Sequence, residues 1–295
     1  MLPPEIVLCP IDFSDLSRQE LVLAVEVCEV FGAHLVLHHN LAAVSPGFTR
    51  AWEWNEVHRA DPATNGKAEE HMRRLLAELP KTISAEGSIS SGPLGTVLLQ
   101  LAAQLPADLV VLGSHGWSTA EHASVSERII DRSPCPVLTV HEGVDTSGRF
   151  RLRANATAEP VPVLVPTDLS PSAQPAVEYA LELARTRPIR LHLLHVAGPK
   201  ATLGELELAE RQLKDLVPIE LLDTAECHVR TGDPVKVILR ISQKIEPAFM
   251  VMGEHARGFV RRFFTKDTAR EVLHRAPCPV WYVPGQSWNA TSLAC

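Results

Sequence analysis

The sequence lacks a long apolar run, an excess of positive charge and a paired-cysteine motif. Its longest apolar stretches, such as residues 109–112 and 161–165, have the length of a strand and fall far short of the ~20 residues that a membrane helix needs. The formal net charge of −7 argues against a broad surface for nucleic acid or an anionic membrane. We therefore expect no membrane partner and no nucleic-acid partner.

The start of the chain and its cysteines bear on the compartment. The first residues show neither a basic segment nor a cleavable apolar segment, so we expect no secretory signal. The six cysteines are scattered, none forms a C-x-x-C pair, and a chain of this length does not need disulfides to fold. The pattern predicts a cytoplasmic protein with reduced, inert thiols.

The sequence does contain an internal repeat of two similar units. Residues 10–14 return as residues 166–170, and residues 35–39 align with residues 191–195 at the same offset of 156 positions. Further anchors follow in the same order, with residues 111–115 matched by 251–255 and residues 132–137 matched by 275–280. We predict two domains, 1–146 and 161–285, with a polar linker at 147–160 and a tail at 286–295.

Each copy alternates short β-branched runs with segments of helical periodicity. Residues 15–31 repeat their apolar positions at helical spacing, Gly32 follows as a C-cap, and Ser17-x-x-Glu20 resembles a capping box. Strand–helix alternation of this kind predicts an α/β fold, with parallel sheets covered by helices on both faces. We expect two such open parallel sheets in tandem.

The first candidate site lies after the first strand of each copy. Ligands of an open parallel sheet bind beyond the carboxyl ends of its strands. Asp12 and Ser14 occupy that place in the first copy, and Asp168 and Ser170 in the second. An acidic side chain there can accept hydrogen bonds from ribose hydroxyls or an exocyclic amine, or it can cap a helix, and the sequence leaves both roles open.

The second candidate site is the turn after the fourth strand. In the first copy Gly113, His115 and Gly116 are followed by Ala123 and Ser124 at the start of a helix. Glycines let backbone N–H groups approach an anion closely, and a helix N-terminus favours a phosphate. The pattern indicates a phosphate-binding turn.

The second copy has a related turn with different chemistry. Its candidate residues are Gly253, Ala256, Arg257, Lys266 and Asp267. An aspartate at a phosphate-facing helix start repels the ligand, and the two basic residues offset that effect in part.

The repeated Pro-x-Asp-x-Ser start, the Val-x-Gly-x-His turn and the Pro-Cys-Pro-Val ending resemble the universal stress protein family. The resemblance covers nearly the whole chain, because the motifs occur once in each copy. It implies an adenine nucleotide alpha hydrolase-like fold, in which each copy forms a five-stranded parallel sheet of order 3-2-1-4-5. Members of the family pair through their last strands, which implies an internal pseudo-dimer of the two halves. A further homodimer and unidentified protein partners are compatible with it.

Many members of that family bind ATP through Gly-x-x-Gly, nine residues, then Gly-Ser or Gly-Thr. In the first copy both early glycines match, but only six residues precede Ala123, which replaces the third glycine. In the second copy the spacing is kept, but Ala256 replaces the second glycine, and Lys266 with Asp267 replaces Gly-Ser. We expect two degenerate nucleotide pockets, with ATP as the one cofactor worth testing and the first copy as the better candidate.

These patterns favour a non-catalytic stress-response regulatory protein. The alternative is an ATP-binding stress protein with slow ATP hydrolysis, and no catalytic residue stands out for any other enzyme. A zinc site would need three converging ligands. We expect no metal site, although the chain has thirteen histidines and four of them are predicted at the end of the second strands: His38, His39, His192 and His195.

Overall fold

A computed structural model of the chain describes residues 3–41, 62–114, 126, 128–141, 144, 160–253 and 266–285. Among these residues, no helix combines the length and the apolar character needed to cross a membrane.

The first half alternates strands and helices, and residues 128–132 are also helical. Its labelled elements are β1 (Ile6–Pro10), α1 (Asp15–Phe31), β2 (His34–Leu41), α2 (Pro62–Glu78), β3 (Ser84–Ser91), α3 (Leu94–Gln104), β4 (Leu109–Ser114) and β5 (Val137–His141).

The second half repeats this order, with a short 3₁₀ helix at Ile219–Leu221. Its elements are β6 (Val161–Pro166), α4 (Gln174–Thr186), β7 (Ile189–Ala197), α5 (Leu203–Asp215), β8 (Ala225–Thr231), α6 (Pro234–Ile245), β9 (Phe249–Gly253), α7 (Lys266–Arg275) and β10 (Val280–Val283).

The ten strands form one continuous sheet of order β3-β2-β1-β4-β5-β10-β9-β6-β7-β8. Each half is parallel and has the order 3-2-1-4-5, which confirms the predicted fold class. We expected two sheets in tandem, and the structure joins them into one. The junction is the antiparallel pairing of β5 with β10, in which Trp281 lies opposite Leu138. This pairing covers the edge that each last strand would otherwise expose.

The two halves also share a core on one face of the sheet. Trp281 has no exposed surface, and its ring lies 5.5 Å from that of Tyr179 and 5.6 Å from that of Phe249. Phe31 at the end of α1 meets the same indole edge-on at 6.4 Å. Arg187, from the second half, lies 5.0 Å above the Phe31 ring and donates a 2.8 Å hydrogen bond to a carbonyl of α1. The halves are therefore an internal pseudo-dimer.

The N-terminus of α1 differs from the prediction. The expected capping box at Ser17 and Glu20 is wrong, because the helix begins at Asp15 and Ser14 is its N-cap. The Ser14 hydroxyl accepts a 3.2 Å hydrogen bond from the Ser17 amide, while the Ser17 hydroxyl donates to the Ser14 carbonyl. The C-cap is confirmed at Gly32, where φ is 72°.

Candidate functional site

The loops that follow β1 and β6 begin with the same turn. Asp12 and Asp168 each accept a 2.9 Å hydrogen bond from the amide two residues further on. The residues between them, Phe13 and Leu169, both have a φ of 63°, which residues other than glycine rarely adopt. The two carboxylates therefore form the turns, and in the first half the capping role falls to Ser14.

Only the serine of the first half is the N-cap of its helix. Ser14 caps α1 directly, as described above. Ser170 accepts a 3.3 Å hydrogen bond from the Ala173 amide and bonds the Ser172 hydroxyl at 2.9 Å, and α4 begins only at Gln174. The second-half loop is therefore longer by a turn before its helix starts.

A histidine near the end of the second strand forms a hydrogen bond with each loop and so links the loop to the sheet. His39 Nδ1 lies 2.8 Å from the carbonyl oxygen of Ile11, and His195 Nδ1 lies 3.0 Å from that of Thr167. Since a carbonyl only accepts, Nδ1 carries the proton in both rings. In the first half the His39 ring also lies 4.4 Å from the ring of Phe13. These histidines hold the candidate loops in place.

The glycine near the end of the fourth strand has a different neighbour in each half. The carboxyl group of Glu20, which is 4% exposed, lies where a β-carbon on Gly113 would stand. Ala176 is the counterpart of Glu20, and its methyl lies 3.1 Å from the place of a β-carbon on Gly253. One candidate pocket thus has a carboxyl group beside its glycine, and the other has a methyl group.

The remaining predicted site residues divide into two groups. Lys266 and Asp267 are the first two described residues of α7. The others lie outside the described residues: His115, Gly116, Ala123, Ser124, Ala256 and Arg257.

A second constellation, which the sequence did not reveal, lies on β7 and β8. His192 is the fourth residue of β7, not at its end as predicted, and it stands in register with Glu226 on β8. His228 follows Glu226 by two residues and therefore shares its face of the sheet. His192 Nδ1 lies 3.1 Å from His228 Nε2, and Glu226 Oε2 lies 3.5 Å and 3.7 Å from these nitrogens.

Burial disfavours the charged form of both imidazoles in this constellation. Burial lowers the pKa of His192, and Glu226 opposes that shift. Burial also lowers the pKa of His228, with Arg230 acting in the same direction.

The matching place in the first half holds one buried histidine at a different position. His38 has no exposed surface, and its ring lies between the hydroxyls of Ser88 and Ser90, at 3.1 Å and 3.2 Å. Burial, with a contribution from His39, lowers the pKa of His38 to about 4. This imidazole is neutral near pH 7 and is part of the buried core of the sheet.

The cysteines offer no nucleophile among the described residues. The five that the structure describes are free thiols, and four of them are buried. Burial raises the pKa of Cys28 and of Cys135 to about 12, which suppresses the reactive thiolate.

Comparison with known proteins places the chain in a family. The model of the Universal stress protein family matches residues 4–141 and again residues 162–284. The chain therefore belongs to the universal stress protein family, with two tandem domains. A universal stress protein of Synechocystis is 28% identical over 141 residues, which cover 45% of this chain and 83% of that protein.

Solved structures share the whole tandem architecture. A universal stress protein from Archaeoglobus fulgidus has a TM-score of 0.68 at 20% identity, covering 96% of this chain and 97% of the other. A putative universal stress protein from Pseudomonas aeruginosa has a TM-score of 0.57 at 15% identity, covering 95% and 93%. At these identities the likeness establishes the fold alone.

Proposed function

We propose that this protein is a non-catalytic, regulatory member of its family whose two nucleotide pockets are degenerate. The observation that carries the proposal is the carboxyl group of Glu20 against Gly113. A phosphate binds at such a turn by approaching bare backbone N–H groups. A carboxyl group beside the glycine takes up room there and, when ionised, repels the phosphate.

The second half loses the phosphate in another way. Its glycine keeps a small neighbour, Ala176, but Asp267 stands in the first turn of α7. An acidic residue in a first turn interacts favourably with the helix dipole and so competes with an anionic ligand for the same end. The substitution of Ala256 for a glycine removes a further place where backbone could meet phosphate.

The family supports a stress-response role, and we infer that the chain exerts it in the cytoplasm through protein partners. The internal pseudo-dimer supplies within one chain the pairing of last strands that single-domain relatives achieve between chains. With the proposed domain boundaries at 146 and 161, each domain contributes its last strand to that pairing, and a further homodimer would use other surfaces.

The proposal is tested by measuring nucleotide on the purified full chain. Freshly prepared protein is denatured, the supernatant is assayed for released nucleotide, and undenatured protein is titrated with ATP by calorimetry. We expect no released nucleotide and no heat of binding up to millimolar ATP. Bound ATP near one per chain would overturn the proposal and support the alternative, an ATP-binding protein with slow hydrolysis.

A matched variant identifies which feature blocks the first pocket. Glu20→Ala copies the second half, where Ala176 stands, and we expect it to raise the affinity for ATP by about tenfold or more, equivalent to about 1.4 kcal/mol. Glu69→Ala, an exposed change on α2, is the control and leaves binding unchanged. If Glu20→Ala binds no better than the parent, the shortened loop between Gly116 and Ala123 is the obstacle.

A further inference from the structure

We propose that His192, Glu226 and His228 form a binding site for a zinc-type divalent cation on the outer strand pair of the second half. The proposal is independent of the nucleotide pockets, because the cluster lies on the face of β7 and β8 and not on the loops beyond the strand ends. It departs from the expectation that no three ligands converge.

Strand register is what brings the three ligands together. His192 and Glu226 are direct partners in the parallel pairing of β7 with β8, and His228 is two residues beyond Glu226. Residues at direct partner positions and at i, i+2 along a strand share one face of the sheet. The site is therefore fixed by backbone hydrogen bonding and does not depend on a loop.

The spacing of the three ligand atoms fits tetrahedral zinc. Zinc binds imidazole nitrogen and carboxylate oxygen at about 2.0–2.1 Å, so adjacent ligand atoms of a tetrahedron stand roughly 3.3 Å apart. The three separations here are 3.1, 3.5 and 3.7 Å. A small movement of side chains would thus suffice to close three corners of a tetrahedron around one ion.

The ligand set points to the same class of ion. Two imidazoles with one carboxylate are a known zinc donor set, with water in the fourth position. The His192 side chain is 9% exposed and the Glu226 side chain is 49% exposed, so the cluster is buried on one side and open to solvent on the other. Imidazole ligands favour zinc over calcium or magnesium, which prefer oxygen.

The facing nitrogens of the two imidazoles are within hydrogen-bond distance of each other at 3.1 Å. One neutral ring can then donate to the other. Binding of the ion requires both facing nitrogens to be free of protons, so the donating ring must move its proton to its other nitrogen. No proton needs to leave the site.

Three cations surround the cluster and set a limit on its affinity. Arg190 Nη1 lies 3.6 Å from Glu226 Oε1, and the other carboxylate oxygen, Oε2, faces the histidines. Arg230 and Lys244 act electrostatically on His228. These groups oppose a dication, and Arg190 also orients the carboxylate, so it is a positioning residue.

The first half provides an internal comparison. The equivalents of His192, Glu226 and His228 are Val36, Glu86 and Ser88, which have the same register between β2 and β3. Only the carboxylate is retained there. The same backbone thus presents the full ligand set in one half and one ligand in the other.

The test uses the full chain, treated with a chelator and then titrated with Zn²⁺ against a chromophoric competitor. We expect one site that His192→Val and His228→Ser, which copy the first half, weaken by about 100-fold or more. His71→Ala, an exposed histidine of α2, is the control. Unchanged affinity in both site variants, or no zinc binding by the parent, overturns the proposal.

Two further measurements keep the test decisive if a site variant folds poorly. Co²⁺ bound in place of Zn²⁺ should give the intense visible bands of a tetrahedral site, and a weak six-coordinate spectrum overturns the proposal. The double variant Val36→His with Ser88→His rebuilds the ligand set beside Glu86, and we expect it to raise the stoichiometry by one ion per chain. An unchanged stoichiometry in that folded variant contradicts the geometric basis of the site.

Discussion

The two halves of this molecule have one backbone design and two sets of polar chemistry. At matched positions of the second strand, the first half places Val36 and His38 where the second half places His192 and Leu194. The buried histidine has thus moved by two residues along the strand, and its partners have changed from hydroxyls to a carboxylate and a second imidazole. The fold depends on which positions are buried, and it tolerates different groups at them.

The largest expected effect comes from the seam where the two halves meet. Trp281 and its equivalent Leu138 are partners across the β5–β10 pairing, and the indole contacts rings from both halves. We expect Trp281→Ala to lower the free energy of unfolding by about 3–5 kcal/mol, because it removes a fully buried side chain. Guanidinium unfolding followed by circular dichroism measures the change.

The control for that prediction is Val22→Ala on α1, where the side chain is 43% exposed. A change at such a position stays within about 0.5 kcal/mol. Equal effects of the two substitutions would mean that the shared core does not join the halves.

The next effect is a pH dependence that arises from His38, the buried histidine of the first half. The pKa of His38 falls from 6.5 to about 4 on folding, so the unfolded chain binds more protons between those values. Stability from this group is therefore complete above pH 6.5 and declines as the pH falls towards 4. We expect His38→Leu, which copies Leu194, to reduce the loss between pH 7.5 and pH 5 by about 2 kcal/mol.

Thermal and denaturant unfolding at the two pH values measure that loss. The reverse substitution, Leu194→His, buries a new imidazole at the equivalent place and should steepen the pH dependence. Parallel curves for His38→Leu and the parent would show that another group accounts for the acid sensitivity.

The sequence predicted the features that are local or repeated. Alternating strands and helices, the duplication and the C-cap at Gly32 all appear in short segments, so periodicity and turn chemistry sufficed. The capping box at Ser17 failed because a competing cap, Ser14, stands three residues earlier. The choice between two adequate caps depends on where the preceding strand leaves the chain, and that is not a local property.

The zinc-type cluster could not be predicted for a related reason. His192 and Glu226 are 34 positions apart, and they meet only because β7 and β8 pair in one particular register. A shift by one residue would send His192 to the other face of the sheet relative to Glu226. The Glu-x-His spacing on β8 was the available signal, and it becomes a site only when the partner strand is known.

The smallest expected effect concerns the contact between Glu20 and Gly113. Gly113→Ala would put a β-carbon where the carboxyl group lies, but the obstacle is the far end of a flexible side chain that can move. We expect a cost of about 1 kcal/mol that largely disappears in the background of Glu20→Ala, and a double-mutant cycle in urea measures this coupling. At Gly253 the nearest atoms include the Ala173 Cα, at 3.2 Å, so backbone must shift and no truncation of a side chain relieves Gly253→Ala.

Additive effects at Gly113 and Glu20 would mean that the carboxyl group does not press on this turn. The same result would remove the structural basis for our proposal that Glu20 prevents phosphate binding. Two results together would show that the two turns have diverged by one substitution on α1. They are strong coupling in the first half and a cost of Gly253→Ala that persists in every side-chain background. The backbone that supports both turns would then be the shared part, and the residue facing the glycine would decide what each can bind.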